Sequence, residues 1–388
     1  MGFGPNQLHD DIRDAVRRMC ARFPDEYWRE HDQSHKFPWE FYQAVVEGGW
    51  LGLTIPEEYG GGGMGVTEAS IVEQEIAASG AGMNGCSAVH IGIFGFEPLI
   101  RYGSEDLKRR FLPRAAKGDL HVSFAVTEPD AGTDTLNLST TARKVDGGWL
   151  VSGKKVWITK AQEAERMFLL CRTSPRGEGK NRTRGLTLMF AEVDRKHVKI
   201  RPIPKMGRNA VDTNELFIDD LFVADEDVIG EVDEGFKAIL AGLNAERVIS
   251  ANAAIGLGRA ALRKATEYAK SRVVFGRPIG QNQLISGQLA EAKIRLDAAD
   301  LMCKQAAWMI DNNIPCAKEA NMAKYLAAEA GFYAADVAIN VHGGYGYAKE
   351  YDVERYFREA RLNRIAPISQ EMVLNYVAEH VLGLPRSY

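Results

Sequence analysis

Residues 121–159 read HVSFAVTEPDAGTDTLNLSTTARKVDGGWLVSGKKVWIT, and this stretch decides the fold. Short β-rich runs, His121–Val126, Thr140–Val145 and Trp149–Thr159, alternate with turn residues. Asp146-Gly147-Gly148 stands between two of these runs and is a hairpin signal, because its glycines accept the positive φ of a tight turn. The same texture continues through Met167–Arg172, Leu186–Val193 and Glu215–Phe222, and Pro175–Thr183, polar and rich in Gly, Arg and Lys, reads as an exposed loop.

On both sides of this block the apolar period changes to that of a helix. Upstream, Leu8, Ile12, Ala15, Val16 and Met19 recur at helical spacing, a second stretch runs from Trp39 through Val45 and Val46 to Gly48-Gly49, and Gly60–Gly63 is a loop. Glu68–Ala78 and Glu97–Ala116 are helical again. Downstream of Gly235, helical segments run over about 235–271, 283–311, 316–341 and 367–382. The expected class is therefore α+β. Residues 1–120 form an N-terminal helical domain, 121–230 a central antiparallel β domain, and 231–388 a C-terminal four-helix-bundle domain.

Composition narrows the function classes. In 388 residues, 45% are hydrophobic and 26% charged, an ordinary balance for a soluble enzyme with ample core material. A net charge of −4 gives no global basic field for nucleic acid or anionic lipid, and no apolar run approaches the ~18 residues of a membrane span. The N-terminus MGFGPNQLHDDIRD lacks a basic segment followed by an apolar one, and Asn6 stands where a myristoylation signal needs Ser or Thr. Cys20, Cys86, Cys171, Cys303 and Cys316 are scattered and odd in number, which suggests reduced thiols and a cytoplasmic location. His31 and His35 are one turn apart but no acidic partner completes a metal motif.

Several stretches carry chemistry-bearing residues. Gly256, Gly258 and Ala261 fit G-x-G-x-x-A, but they lie inside one helix, Glu246–Ala269, with no strand before it. Close helix packing is the better reading than a dinucleotide site. Phe124–Asp134 runs from a strand into a loop rich in hydroxyls, amides and glycine, able to aim several donors at a planar ring or a phosphate; taken alone it reads as an ordinary β-domain loop. In Val156–Lys160, Trp157 and Thr159 fall on one face of a strand; alone, Trp157 reads as core. Arg272–Ile279, with Gln283 beyond, places two arginines around Phe275 at a helix end. Arginine forks match diphosphate oxygens, although a charged helix cap has the same pattern. Asn340–Tyr347 is a glycine turn between helices whose bare backbone suits a phosphate or a tight connection.

Taken together and in this order, these stretches resemble the acyl-CoA dehydrogenase family, from the helix around Glu68 to Leu384. Ala125–Asp134 follows the family pattern small-aliphatic-hydroxyl-Glu-x-x-small-Gly-hydroxyl-Asp, and Gly343-Gly344-x-Gly346 is followed by Arg355 and Glu359 at the family spacing. The resemblance implies FAD as cofactor, an acyl-CoA substrate, a homotetramer or at least a dimer, and an electron-transfer flavoprotein as acceptor. It implies that Phe124, Val126 and Thr127 contact the flavin, that Trp157 stacks near it and that Thr159 hydrogen-bonds its reacting edge. Thr133 borders the thioester or pantetheine, and Ser369 lies in the stretch that faces the flavin. Arg272, Phe275 and Gln283, with Asn340, Gly343 and Gly344, hold the diphosphate and adenosine from neighbouring subunits.

Three positions depart from the family pattern. Asn137 replaces a small residue, and Asn340 replaces Gln or an acid. The third concerns the catalytic base, which most members carry as Glu in Tyr-Glu-Gly-Thr. Here the matching stretch is Ala366-Pro367-Ile368-Ser369, and proline has no ionisable group. The isovaleryl and long-chain branches instead place Glu before Arg in the helix opening the C-terminal domain, which here reads Leu243-Asn244-Ala245-Glu246-Arg247. The resemblance thus implies Glu246 as base, with Asn244 and Arg247 positioning the CoA moiety or the helix end. The expected reaction is α-proton abstraction with β-hydride transfer to the flavin, giving the trans-2-enoyl-CoA. The alternatives are an acyl-CoA oxidase or enoyl-CoA reductase on the same scaffold, or a non-enzymatic relative that binds flavin or nucleic acid. The last would use Arg355, Arg358, Arg361 and Arg364, but Glu350, Glu354 and Glu359 interleave them and favour a salt-bridged face.

Overall fold

The computed structural model describes residues 6–177 and 181–386, so part of the expected Pro175–Thr183 loop and the first residues of the N-terminus lie outside the described residues. The N-terminal region is helical: α1 (Gln7–Cys20), α2 (Asp25–Ser34), α3 (Trp39–Glu47), α4 (Val66–Ile76), α5 (Gly82–Phe94), α6 (Glu97–Tyr102) and α7 (Glu105–Ala116). The expected single segment Glu97–Ala116 is two helices. Gly103 ends the first, and the Ser104 hydroxyl caps the second by accepting from the Leu107 N–H. Helix α5 was not legible as a helix because it is buried nearly all round and has no polar face to set a period.

The central strands are β1 (Val122–Ala125), β2 (Thr141–Val145), β3 (Gly148–Thr159), β4 (Arg166–Arg172), β5 (Leu186–Glu192), β6 (Val198–Pro202), β7 (Thr213–Ala224) and β8 (Val228–Ile229). They form one sheet in the order β6-β7-β3-β2-β4-β5-β8, with β1 added alongside β4. The expectation of a purely antiparallel domain is corrected: β1 and β2 each pair with β4 in parallel. A parallel pair needs a long crossover, and the chain from Val126 to Glu165, which contains the β2–β3 hairpin, supplies it between β1 and β4. The hairpin forms at Asp146-Gly147-Gly148 as expected, with Val145 opposite Gly148 and Gly147 at φ 71°.

The C-terminal region comprises α8 (Gly235–Leu240), α9 (Leu243–Ser271), a hairpin of β9 (Val273–Val274) and β10 (Arg277–Pro278), α10 (Gln283–Asp311), α11 (Ala317–His342), α12 (Val353–Leu362) and α13 (Gln370–Tyr376). The expected helix 235–271 breaks at 241–242, which places Glu246 in the first turn of α9. Helices α9, α10 and α11 are the long members of the bundle; α12 and α13 fill the remaining side. Alanine dominates the seam: Ala251, Ala254, Ala292, Ala299, Ala323, Ala327 and Ala334 are all buried there. Small residues let the backbones close up. A Cβ on Gly256 would stand 2.2 Å from the Gln74 carbonyl oxygen, and one on Gly258 would stand 3.0 Å from the Gly331 Cα. The G-x-G-x-x-A match is therefore a packing device, as the sequence suggested.

Helix α12 carries the arginines spaced by threes. Arg355 is buried and pairs with Glu359 at 3.3 Å, Arg358 bonds Glu354 and Asp32, and Arg364 just beyond bonds Glu329 at 2.7 Å, so these three of the four arginines are tied up internally. His31 Nδ1 donates to the Lys36 carbonyl at a helix end, and no metal-binding cluster exists among the described residues. No helix among them is long and apolar enough to cross a membrane.

Candidate functional site

The C-terminal end of β1 and the bulged end of β3 form one half of the site. The β3–β7 register shifts between Lys155 and Ile158, and the bulge turns Trp157 outward at φ 63°, with 59% of its surface exposed. Core packing of Trp157 is thereby ruled out, and the indole is free to cover a planar ligand. Thr159 closes β3 opposite Thr213 and is half-buried. Phe124 stacks on Phe168 at 4.7 Å between centroids, and Val126 and Thr127 follow at the strand end, both half-buried. The Thr127 carbonyl accepts from the Val156 N–H at 2.9 Å, while its own N–H and hydroxyl have no partner among the described residues.

The loop after Thr127 is held by one carboxylate. Glu128 accepts from the Ser139 N–H and hydroxyl and from the Thr140 N–H, closing the loop across its base and leaving Thr133 exposed on its outer side. The Lys155 ammonium completes this arrangement at 2.9 Å from Glu128 Oε1, with both side chains buried. Burial opposes ionisation of Glu128, but Lys155 and the surrounding donors outweigh it and hold the carboxyl down to about 2. Neither residue was singled out from sequence as functional. The available signal was strand alternation, which puts Lys155 on the same inward face as Trp149 and Val151.

The base candidate comes from the other side. A Cβ on Gly95, after α5, would stand 3.0 Å from the Phe124 ring, and one on Gly242 would stand 3.5 Å from Glu97 Cβ. The α5–α6 corner thus touches both the end of β1 and the start of α9, where Glu246 sits. The Glu246 carboxyl makes no hydrogen bond or ion pair among the described residues. Burial pushes it up to about 7, only partly offset by the neighbouring Arg247. Arg247 turns its guanidinium instead to Asn244 Oδ1 at 2.8 Å. Pro367 is exposed, and the Ser369 hydroxyl is engaged in capping α13, accepting from Met372 N–H.

A second cluster lies in the C-terminal region. Arg272 ends α9, fully outward, with its guanidinium 5.7 Å from the Tyr345 ring, which draws the β9–β10 hairpin toward the glycine turn after α11. Phe275 at the hairpin tip is wholly exposed, and Gln283 at the start of α10 and Asn340 near the end of α11 are exposed too. Gly343 takes φ 59°, and a Cβ on Gly343 or Gly344 would meet nothing within 4 Å. The sequence-derived residues therefore assemble into two groups held by different elements of the chain. The first offers an unpartnered N–H and hydroxyl beside an outward indole, which suits a flavin ring. The second offers a cation, an exposed ring and open glycine backbone, which suits a diphosphate and adenosine.

The family models of the acyl-CoA dehydrogenase N-terminal, middle and C-terminal domains match residues 6–119, 123–221 and 233–382. The acyl-CoA dehydrogenase FadE12 of Mycobacterium tuberculosis (strain H37Rv) is 38% identical over 379 residues, covering 97% of this chain and 96% of its own. The fold superposes on a glutaryl-coenzyme A dehydrogenase in complex with glutaryl-CoA with a TM-score of 0.91 and 31% identity, over 100% of this chain and 98% of the other. Butyryl-CoA dehydrogenase from Megasphaera elsdenii gives a TM-score of 0.92 at 27% identity, over 98% and 100%. The chain belongs to the acyl-CoA dehydrogenase family, and its cofactor is FAD.

Proposed function

We propose that the protein removes the α-proton and β-hydride of an acyl-CoA thioester, with Glu246 as the base, giving the trans-2-enoyl-CoA. The observation that carries this reading is the Glu246 carboxyl: it is unpaired, its affinity for a proton is raised to the neutral range, and it stands at the start of α9 against the corner that backs Phe124. A base is most effective with a pKa near working pH, and burial supplies that shift here. FAD, when bound, supplies the hydride acceptor. Phe124, Val126, Thr127, Trp157 and Thr159 hold the ring, Thr133 borders the thioester, and Asn244 orients Arg247 toward the CoA moiety. The Ala366–Ser369 stretch, which offers no acid, leaves the proton transfer to Glu246.

Arg272, Phe275, Gln283, Asn340, Gly343 and Gly344 serve the FAD of a neighbouring subunit in this reading. That makes the working enzyme a dimer or tetramer, and a fully exposed phenylalanine at the hairpin tip supports it. The electron acceptor is an electron-transfer flavoprotein, and the compartment is the cytoplasm, in keeping with five buried, unpaired cysteines. The domain limits 1–120, 121–230 and 231–388 follow the change from helix to sheet and back.

The test is anaerobic titration of the purified holoenzyme with acyl-CoA thioesters of varied length, branching and ring content, following the flavin absorbance. Bleaching by at least one thioester, with the matching enoyl-CoA as product, is the expected result. Rapid oxygen consumption would identify an oxidase instead, and no bleaching with any thioester would overturn the reading.

A further inference from the structure

We infer that the buried ammonium of Lys155 is a positioning residue that acts through one peptide bond, polarising the Val126–Thr127 amide so that the Thr127 N–H becomes a strong donor to the flavin. This rests on the proposed placement of the flavin ring at Thr127 and Trp157.

Lys155 is fully buried, and its ammonium makes three contacts: Glu128 Oε1 at 2.9 Å, the Leu170 carbonyl at 2.7 Å and the Val126 carbonyl at 3.0 Å. A buried lysine is costly unless something needs its charge, because desolvation penalises the charged form and an apolar residue of the same size avoids that cost. Burial lowers the proton affinity of Lys155, Glu128 opposes that shift, and their contact fixes the ammonium against the strand.

A trans peptide is planar, with its C=O and N–H pointing in opposite directions. Since the Val126 carbonyl points at Lys155, the Thr127 N–H of the same peptide points away from it. The Thr127 carbonyl meets the Val156 N–H, and the next residue of β3 is the bulged Trp157. β3 shifts register against β7 at this point, and the Thr127 N–H is left without an acceptor among the described residues. Hydrogen bonds in series strengthen one another, most of all when one end is charged. A cation on the carbonyl therefore makes the opposite N–H a better donor, and a better donor favours whichever redox state of an adjacent ring carries more negative charge, the reduced one. Glu128 has a separate task, closing the loop at Ser139 and Thr140.

The experiment compares parent, Lys155→Met and Ser139→Ala holoenzymes by dye-equilibrated reductive titration of the bound flavin. Lys155→Gln, which keeps a neutral donor, stands in where Lys155→Met does not accumulate folded. The neutral Lys155 variant should disfavour the reduced flavin by about tenfold, a potential about 30 mV lower for a two-electron couple. Ser139→Ala, which loosens only the loop, should leave the potential unchanged. Hydrogen exchange supplies a second readout: the Thr127 amide should exchange fast in the apoprotein and become protected when FAD is added. An unchanged potential in the neutral variant, an equal shift in Ser139→Ala, or a Thr127 amide already protected without FAD would overturn the inference. A parent protein that takes up no FAD, or whose flavin no thioester reduces, would sink the functional reading instead; the two failures are thus distinguishable.

Discussion

Arg247 donates to Asn244 Oδ1 at 2.8 Å on its own helix, and it makes no ion pair with the adjacent Glu246. Sequence neighbours on a helix project about 100° apart, so Arg247 reaches a partner one turn back more readily than the carboxyl beside it. The consequence is a half-buried carboxyl with no hydrogen-bond donor among the described residues to stabilise its charge.

Glu246→Gln should therefore keep the fold, FAD and thioester binding while losing flavin reduction by roughly 10²–10⁴-fold, the usual contribution of a positioned base. Stopped-flow reduction with the best thioester measures it. A variant within a few-fold of the parent would remove Glu246 from the mechanism. Pro367→Glu in the variant background places a carboxylate at the position most family members use, and recovery of some flavin reduction would agree with a displaced base.

The pH dependence follows from the same group. Reduction should rise as pH passes upward through about 7, because only the deprotonated carboxylate accepts the α-proton. The effect on stability has the opposite sign. The folded state holds this carboxyl's proton from the ordinary 4.5 up to about 7, where the unfolded chain has released it, so stability falls as pH rises across that window. Parent and Glu246→Gln should unfold at similar temperatures at low pH, with the variant the more stable at pH above this window. Differential scanning calorimetry in matched buffers checks it; a gap that does not grow with pH contradicts the assignment.

Gly256→Ala tests the packing of α9 on α4. The added methyl would stand 2.2 Å from the Gln74 carbonyl, a backbone atom that cannot swing away. Overpacking of this kind costs about 1–3 kcal/mol, and urea unfolding should show a loss in that range. A neutral result would mean that the two helices separate freely.

Association is testable at Phe275. The parent holoenzyme should sediment as a dimer or tetramer, and Phe275→Ser, which alters only a wholly exposed side chain, should lose FAD on dilution while keeping its secondary structure. A flavin-saturated monomer of the parent would refute the shared site.

How much of this was readable beforehand follows from which physical signals are local. Strand alternation and the Asp146-Gly147-Gly148 turn announce the β block, because a turn is decided by a few residues whose φ values the sequence restricts. The helical period marks α1, α9, α10 and α11 for the same reason. Local signals failed where surroundings dominate. Helix α5 is buried nearly all round and shows no polar face, and β1 pairs in parallel with β4 through a crossover that no short window contains.

The site divides in the same way. Sequence alone determined the residue types: the hydroxyl-rich loop from Thr127, the glycines at 343 and 344, a glutamate at 246 and a proline at 367. Tertiary structure decided what those residues experience. The outward turn of Trp157 comes from a bulge defined against β7, and the raised proton affinity of Glu246 comes from burial. The link from Lys155 to Val126 joins β3 to the end of β1, 29 residues away in sequence. Desolvation and strand pairing depend on which segments meet in space, and no local pattern of residues encodes that.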